Sequence, residues 1–73
     1  MTPLGDFLVS LGRAARASTW SVAQDLRIGE AELRRYESGE QRPTWSFVQS
    51  LVTYYSATPE QLAEAKRLWA ASR

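Results

Sequence analysis

The sequence predicts an all-α fold, a compact domain of five short helices, and three observations predict it. Apolar residues recur at steps of three and four along five separate stretches, the spacing that gives a helix one apolar face. Between those stretches stand residues suited to starting helices (Thr2-Pro3, Ser18, Thr44, Thr58-Pro59) and to stopping them (Gly39, Pro43). The 73 residues include no cysteine and no histidine, so neither disulfides nor the usual structural zinc ligands can staple the chain. Helix packing must supply the stability. At about 0.05 to 0.15 kcal/mol per residue that stability totals about 4 to 11 kcal/mol, so every core side chain counts.

The first helix starts at Thr2 or Pro3, with Thr2 as cap, proline in the favoured first position and Asp6 near the positive end. Leu4, Phe7, Leu8, Leu11 and Ala15 form its core stripe. Gly12 inside it costs about 0.5 to 1 kcal/mol relative to alanine, which means either a close neighbour that requires it or a locally weak helix. The second helix, about Thr19 to Leu26, is capped by Ser18; it turns Val22, Ala23 and Leu26 inward and leaves Thr19, Trp20, Gln24 and Asp25 mostly outward. The Trp20 indole either folds back on the first helix or meets a partner. After the short Arg27-Ile28-Gly29 connection comes a third helix, Glu30 to Ser38, with Leu33 and Tyr36 inward and Glu30 and Arg34 outward, closed by Gly39.

Residues 39–42 form an exposed turn, Pro43 blocks its continuation, and Thr44 caps a fourth helix. There Val48, Leu51, Val52 and Tyr55 mark the buried face, with Trp45 and Phe47 flanking it, until Ser56 and Ala57 break it. Thr58-Pro59-Glu60-Gln61 opens a fifth helix that runs to about Ser72, with Leu62, Ala65, Leu68 and Trp69 on one stripe. Five helices and four short connections predict a single domain over residues 1–73. Two helices of about two turns each, joined by three or four residues within 18–39, make a helix-turn-helix unit, whose second helix suits the DNA major groove.

Other classes of function find little support. Without histidine or cysteine, catalysis needs a carboxylate pair, an activated lysine or a bound metal. The one lysine is Lys66 on the last helix, and Asp6, Asp25 and the glutamates show no spacing that converges on a metal. No enzyme and no cofactor are predicted. No apolar run approaches the length of a membrane span and the N-terminus lacks a signal-peptide pattern, so the expected location is cytoplasmic. The formal net charge of +1 is low for a nucleic-acid binder and points to weak or assisted binding. Eight of the nine basic residues are arginine, a bias that a GC-rich genome also produces and that carries no weight either way.

In order and spacing, Ser18 with Val22-Ala23, Leu26, Ile28, Leu33, Tyr36-Glu37-Ser38-Gly39 and Pro43 resemble the Cro and phage-repressor type of helix-turn-helix domain, the xenobiotic-response-element family. The stretch FVQSLVTYYSATPEQLAEAKRLW is similar to the C-terminal half of such domains in actinobacterial regulators. The resemblance implies a repressor-like bacterial regulator of transcription that binds double-stranded DNA sequence-specifically, with Glu30 to Ser38 as recognition helix. It places Thr19 on a phosphate, Glu30, Ala31 and Arg34 on base edges with Arg35 on the same surface, and Gln41 and Arg42 on the flanking backbone or an extra base. Arginine can fork onto guanine, glutamate can accept from cytosine N4, and alanine can touch a thymine methyl.

The chain departs from that pattern at three positions. Arg27 stands where glycine is usual in the turn, Thr19 where glutamine opens the second helix, and Gly12 where the first helix carries an arginine that pairs with the glutamate matching Glu37. Either Arg13 or Arg16 reaches Glu37 instead, or the carboxylate turns toward water. A single short recognition helix reads few bases, so a homodimer is expected, with Trp69 and Trp20 as candidate dimer or partner contacts, Trp69 otherwise packing within its own monomer. The competing reading is a protein-interaction module that keeps the fold and has lost DNA binding, supported by the near-neutral charge, Glu30, Glu32, Glu37 and Glu40 around the recognition helix, and the aromatics Trp20, Trp45 and Tyr54.

Overall fold

The computed structural model describes residues 2–72. Five helices follow one another, α1 (Pro3–Ala14), α2 (Thr19–Leu26), α3 (Glu30–Ser38), α4 (Trp45–Tyr54) and α5 (Pro59–Ala71), with no strand among the described residues. Their starts are chemically explicit. The hydroxyls of Thr2, Ser18, Thr44 and Thr58 accept from the backbone amides of Gly5, Ser21, Phe47 and Gln61 at 3.0 to 3.2 Å. Gln61 Oε1 accepts in return from the Thr58 amide at 2.9 Å, completing a capping box. Each such cap satisfies a donor the helix cannot, worth about 1 kcal/mol.

The helix ends were harder to foresee, because only α3 closes on glycine. Gly39 takes a left-handed φ of 88°. At the other three corners Arg16, Arg27 and Ser56 adopt the same region at φ 54°, 59° and 57°. There the amides of Ala17, Ile28 and Ala57 close back on the carbonyls of Gly12, Ala23 and Val52 at 3.0 Å each. The bond satisfies an orphan helix carbonyl and offsets the cost of a side chain in that conformation. Arg27 therefore fills the conformational role for which glycine is usual.

α1 packs on α3 and α5, α2 packs on α3, and α4 packs on α5. Leu4, Leu8 and Leu11 of α1, Val22 and Ala23 of α2, Leu33 of α3, Val48, Leu51 and Val52 of α4 and Ala65 of α5 form one buried cluster. Of the predicted stripe of α5, only Ala65 is fully buried; Leu62, Leu68 and Trp69 are partly covered and pack against the cluster. Ala15 leaves the predicted stripe: α1 ends at Ala14 and the chain turns at Arg16, so Ala15 is an exposed cap residue. Tyr55 likewise lies just past α4 and is half-buried, its hydroxyl over Gly12 at 3.1 Å from where a Cβ would stand. Of the two expectations for Gly12, the structure shows the close neighbour: an added Cβ would require the Tyr55 ring to shift by a few tenths of an ångström.

Gly5 sets the position of α3. A Cβ at Gly5 would overlap the backbone carbonyl of Glu37, so α1 and α3 meet main chain to main chain at the end of α3. Gly39 is crowded in the same corner, where a Cβ would run into the Thr2 methyl. The start of α1 thus fixes both the last turn of α3 and the loop that leaves it.

Candidate nucleic-acid interface

α3 is nine residues long, with Leu33 fully buried and Tyr36 nearly so. At 3.6 residues per turn those two anchors leave Ala31, Arg34 and Arg35 on the exposed arc, with Glu30 and Ser38 at its edges. Arg34 Nη2 lies 2.8 Å from Glu30 Oε2, their side chains 66% and 38% exposed. A solvated i,i+4 pair of this kind is worth a few tenths of a kcal/mol, so either partner can exchange it for a better one. Glu32 is engaged differently: it accepts from the Tyr36 hydroxyl at 2.7 Å, and this bond is the main reason the Tyr36 hydroxyl titrates above its ordinary value.

The loop after α3 splits its two predicted contact residues. Gln41 folds back on α3, its amide donating to the Arg35 carbonyl at 3.3 Å and its Oε1 accepting from Arg35 Nε at 3.2 Å. Arg42 turns the other way. Its Nη2 donates to the Trp69 carbonyl at 2.9 Å and its guanidinium carbon sits 4.0 Å from the centre of the Trp69 ring. Trp69 in turn donates from Nε1 to the Pro43 carbonyl at 2.8 Å and meets Trp45 with ring centres 5.9 Å apart. Trp45, one of the aromatics named for the interaction-module reading, is half-buried beside α5.

On the α2 side, Thr19 is not outward as expected: at the first helical position it falls on the inner side of α2, is half-buried, and lines a cavity of about 230 Å³ with Gly12, Arg13, Glu37 and Tyr55. Trp20 does not fold back on α1; it is 58% exposed. The reason is angular: Thr19, Val22 and Leu26 share one stripe of α2, and Trp20 stands about 100° off it. Tyr54 is the other large exposed aromatic among the described residues, and its hydroxyl donates to Asp25, tying α4 to α2. Nothing in local spacing announces that link or the contacts of Arg42 and Gly5.

Glu37 has no ion-pair partner among the described residues, where the pairs are Arg34 with Glu30 and Arg67 with Glu64. Arg13 lines the same cavity without pairing. Burial holds the Glu37 carboxyl above the usual carboxylate range, with Arg34 pulling weakly the other way. The Tyr55 hydroxyl beside it is pushed up to about 12, first by burial and then by the Glu37 charge. A carboxyl raised in the folded state contributes stability that is fully present below its unfolded pKa and is lost as pH rises through the folded one. Glu37→Gln is therefore expected to raise the melting temperature at pH 7 and to leave it nearly unchanged near pH 4. An equal effect at both pH values in thermal melts would show that ionised Glu37 is not a burden.

The sequence model of the helix-turn-helix domain family matches residues 3–65, most of the chain. The chain belongs to the helix-turn-helix domain family. No curated protein and no solved structure matches it. Helix-turn-helix domains are a DNA-binding, non-enzymatic kind, and in this one α2 and α3 are the motif's two helices. No described helix is long and apolar enough to cross a membrane. The match ends at Ala65, so the last turns of α5, with Leu68 and Trp69, lie beyond it.

Proposed function

We propose that this helix-turn-helix domain is the DNA-reading part of a bacterial transcriptional regulator of the Cro and phage-repressor type, working in the cytoplasm, with α3 in the major groove. The observation that carries the reading is the exposed arc of α3, where Ala31, Arg34 and Arg35 project from a helix pinned by Leu33 and Tyr36. Arg34 forks onto guanine after releasing Glu30; Glu30 accepts from cytosine N4; Ala31 meets a thymine methyl. Thr19, at the start of α2, takes a phosphate, and Gln41 supports Arg35 from the loop. Residues 1–73 act as one domain, and two copies on a two-fold site supply the specificity that one short helix lacks.

Arg34→Ala tests the assignment. It is expected to weaken specific binding by about 1 to 3 kcal/mol and to relax the preference at one base position, with the fold intact. Unchanged affinity together with an unchanged preference would remove Arg34 from the base-reading set. Trp20 favours a second reading, a protein-interaction module: an indole 58% exposed beside the motif is a ready anchor for a protein partner. Under that reading Arg34→Ala is silent and Trp20→Ala abolishes complex formation.

A further inference from the structure

We propose that Trp69 is a positioning residue for DNA binding: the last turns of α5, outside the family-matched stretch, hold the loop 39–44 and, through it, Arg35 on the exposed face of α3. The proposal rests on the DNA-binding reading only where it concerns affinity; the hold on the loop is a property of the chain alone.

Three contacts converge on this one residue. Its indole N–H donates to the Pro43 carbonyl at 2.8 Å, its ring carries the Arg42 guanidinium at 4.0 Å, and its own carbonyl accepts from Arg42 Nη2 at 2.9 Å. They span 26 and 27 residues of chain, so they fix tertiary position and not local conformation. The charge suits the place. The last turn of α5 has no basic residue of its own among the described residues, and Arg42 brings a cation to the carbonyl end of the helix, where the dipole favours one. Arg42 is thus a strap to α5, and its charge faces the carbonyl and the indole of Trp69.

The other end of the same loop is tied to α3, where Gln41 exchanges two hydrogen bonds with Arg35. Trp69, Pro43, Arg42, Gln41 and Arg35 therefore form one continuous run of contacts from the end of α5 to the exposed arc of α3. Releasing Trp69 frees Arg42, slackens Gln41 and costs Arg35 its fixed orientation, although none of the five is in the buried cluster.

The test uses the full chain with Trp69→Phe, which keeps a ring for packing and removes the N–H donor, and Arg42→Gln, which removes the strap from the other side. Exchange of the Gln41 amide, which is bonded to the Arg35 carbonyl, should rise about tenfold in each variant while amides of α1 stay protected. DNA affinity should fall by a similar factor in both, with the salt dependence unchanged, because a strap neutralises no phosphate. The proposal is overturned if Gln41 exchange is unaltered in Trp69→Phe, or if Arg42→Gln lowers the salt slope by about one, the mark of a lost phosphate contact. If the wild-type chain binds no DNA, the functional reading fails and the Gln41 exchange still decides the strap.

Discussion

Leu33→Ala is expected to destabilise the domain by about 2 to 5 kcal/mol, a large share of the total a chain of this size can hold. Leu33 is fully buried and is the one residue of α3 inside the central cluster, which also holds leucines of α1 and Val22 and Ala23 of α2, the two helices α3 packs on. Truncation removes its transfer free energy and leaves a cavity between three helices. The other inward anchor of α3 is Tyr36, which pairs with Phe47, ring centres 4.9 Å apart, and cannot fill the space Leu33 leaves. Urea and thermal melts check the expectation; a melting temperature lowered by only a degree or two would put a different face of α3 inside.

Gly5→Ala is the second large effect, about 3 kcal/mol, the upper end of what overpacking usually costs. The added methyl would overlap the Glu37 carbonyl, which belongs to the main chain and cannot rotate aside as a side chain can. Relief requires α1 and α3 to part, and the Thr2 hydroxyl that caps α1 is crowded into the same corner. Where Leu33→Ala weakens α3 from within, Gly5→Ala displaces it, so the surviving folded fraction should also show altered amide shifts through 36–41. A variant with wild-type stability and wild-type shifts would show that the approach of α1 to α3 is looser than described.

What the sequence shows of this fold is what lies within about four residues along the chain. Thr58-Pro59-Glu60-Gln61 announces a capping box because cap and donor are three positions apart, and Leu33 with Tyr36 announces the inner face of α3 for the same reason. From that pairing the outward placement of Ala31, Arg34 and Arg35 follows directly. Closures made by tertiary approach carry no such mark. Gly5 reads as an ordinary weak helix residue until α3 is laid across it, and Ala15 reads as core until Arg16 turns the chain. Arg42 looks like a surface cation, and its commitment to Trp69 depends on an approach of α5 that no local pattern predicts. The fold was thus legible from spacing and caps, and the lie of the loop beside the candidate interface was not.

The central claim is that α3 reads DNA, and a salt-titrated selection of genomic fragments with the purified chain tests it most directly. Binding is expected at about 50 mM salt, with an affinity whose logarithm falls linearly with log salt, by about 0.9 for each phosphate contacted, together with an enriched two-fold motif that Arg34→Ala changes at one position per half-site. Absence of binding at low salt, or binding with no enriched motif, would contradict it.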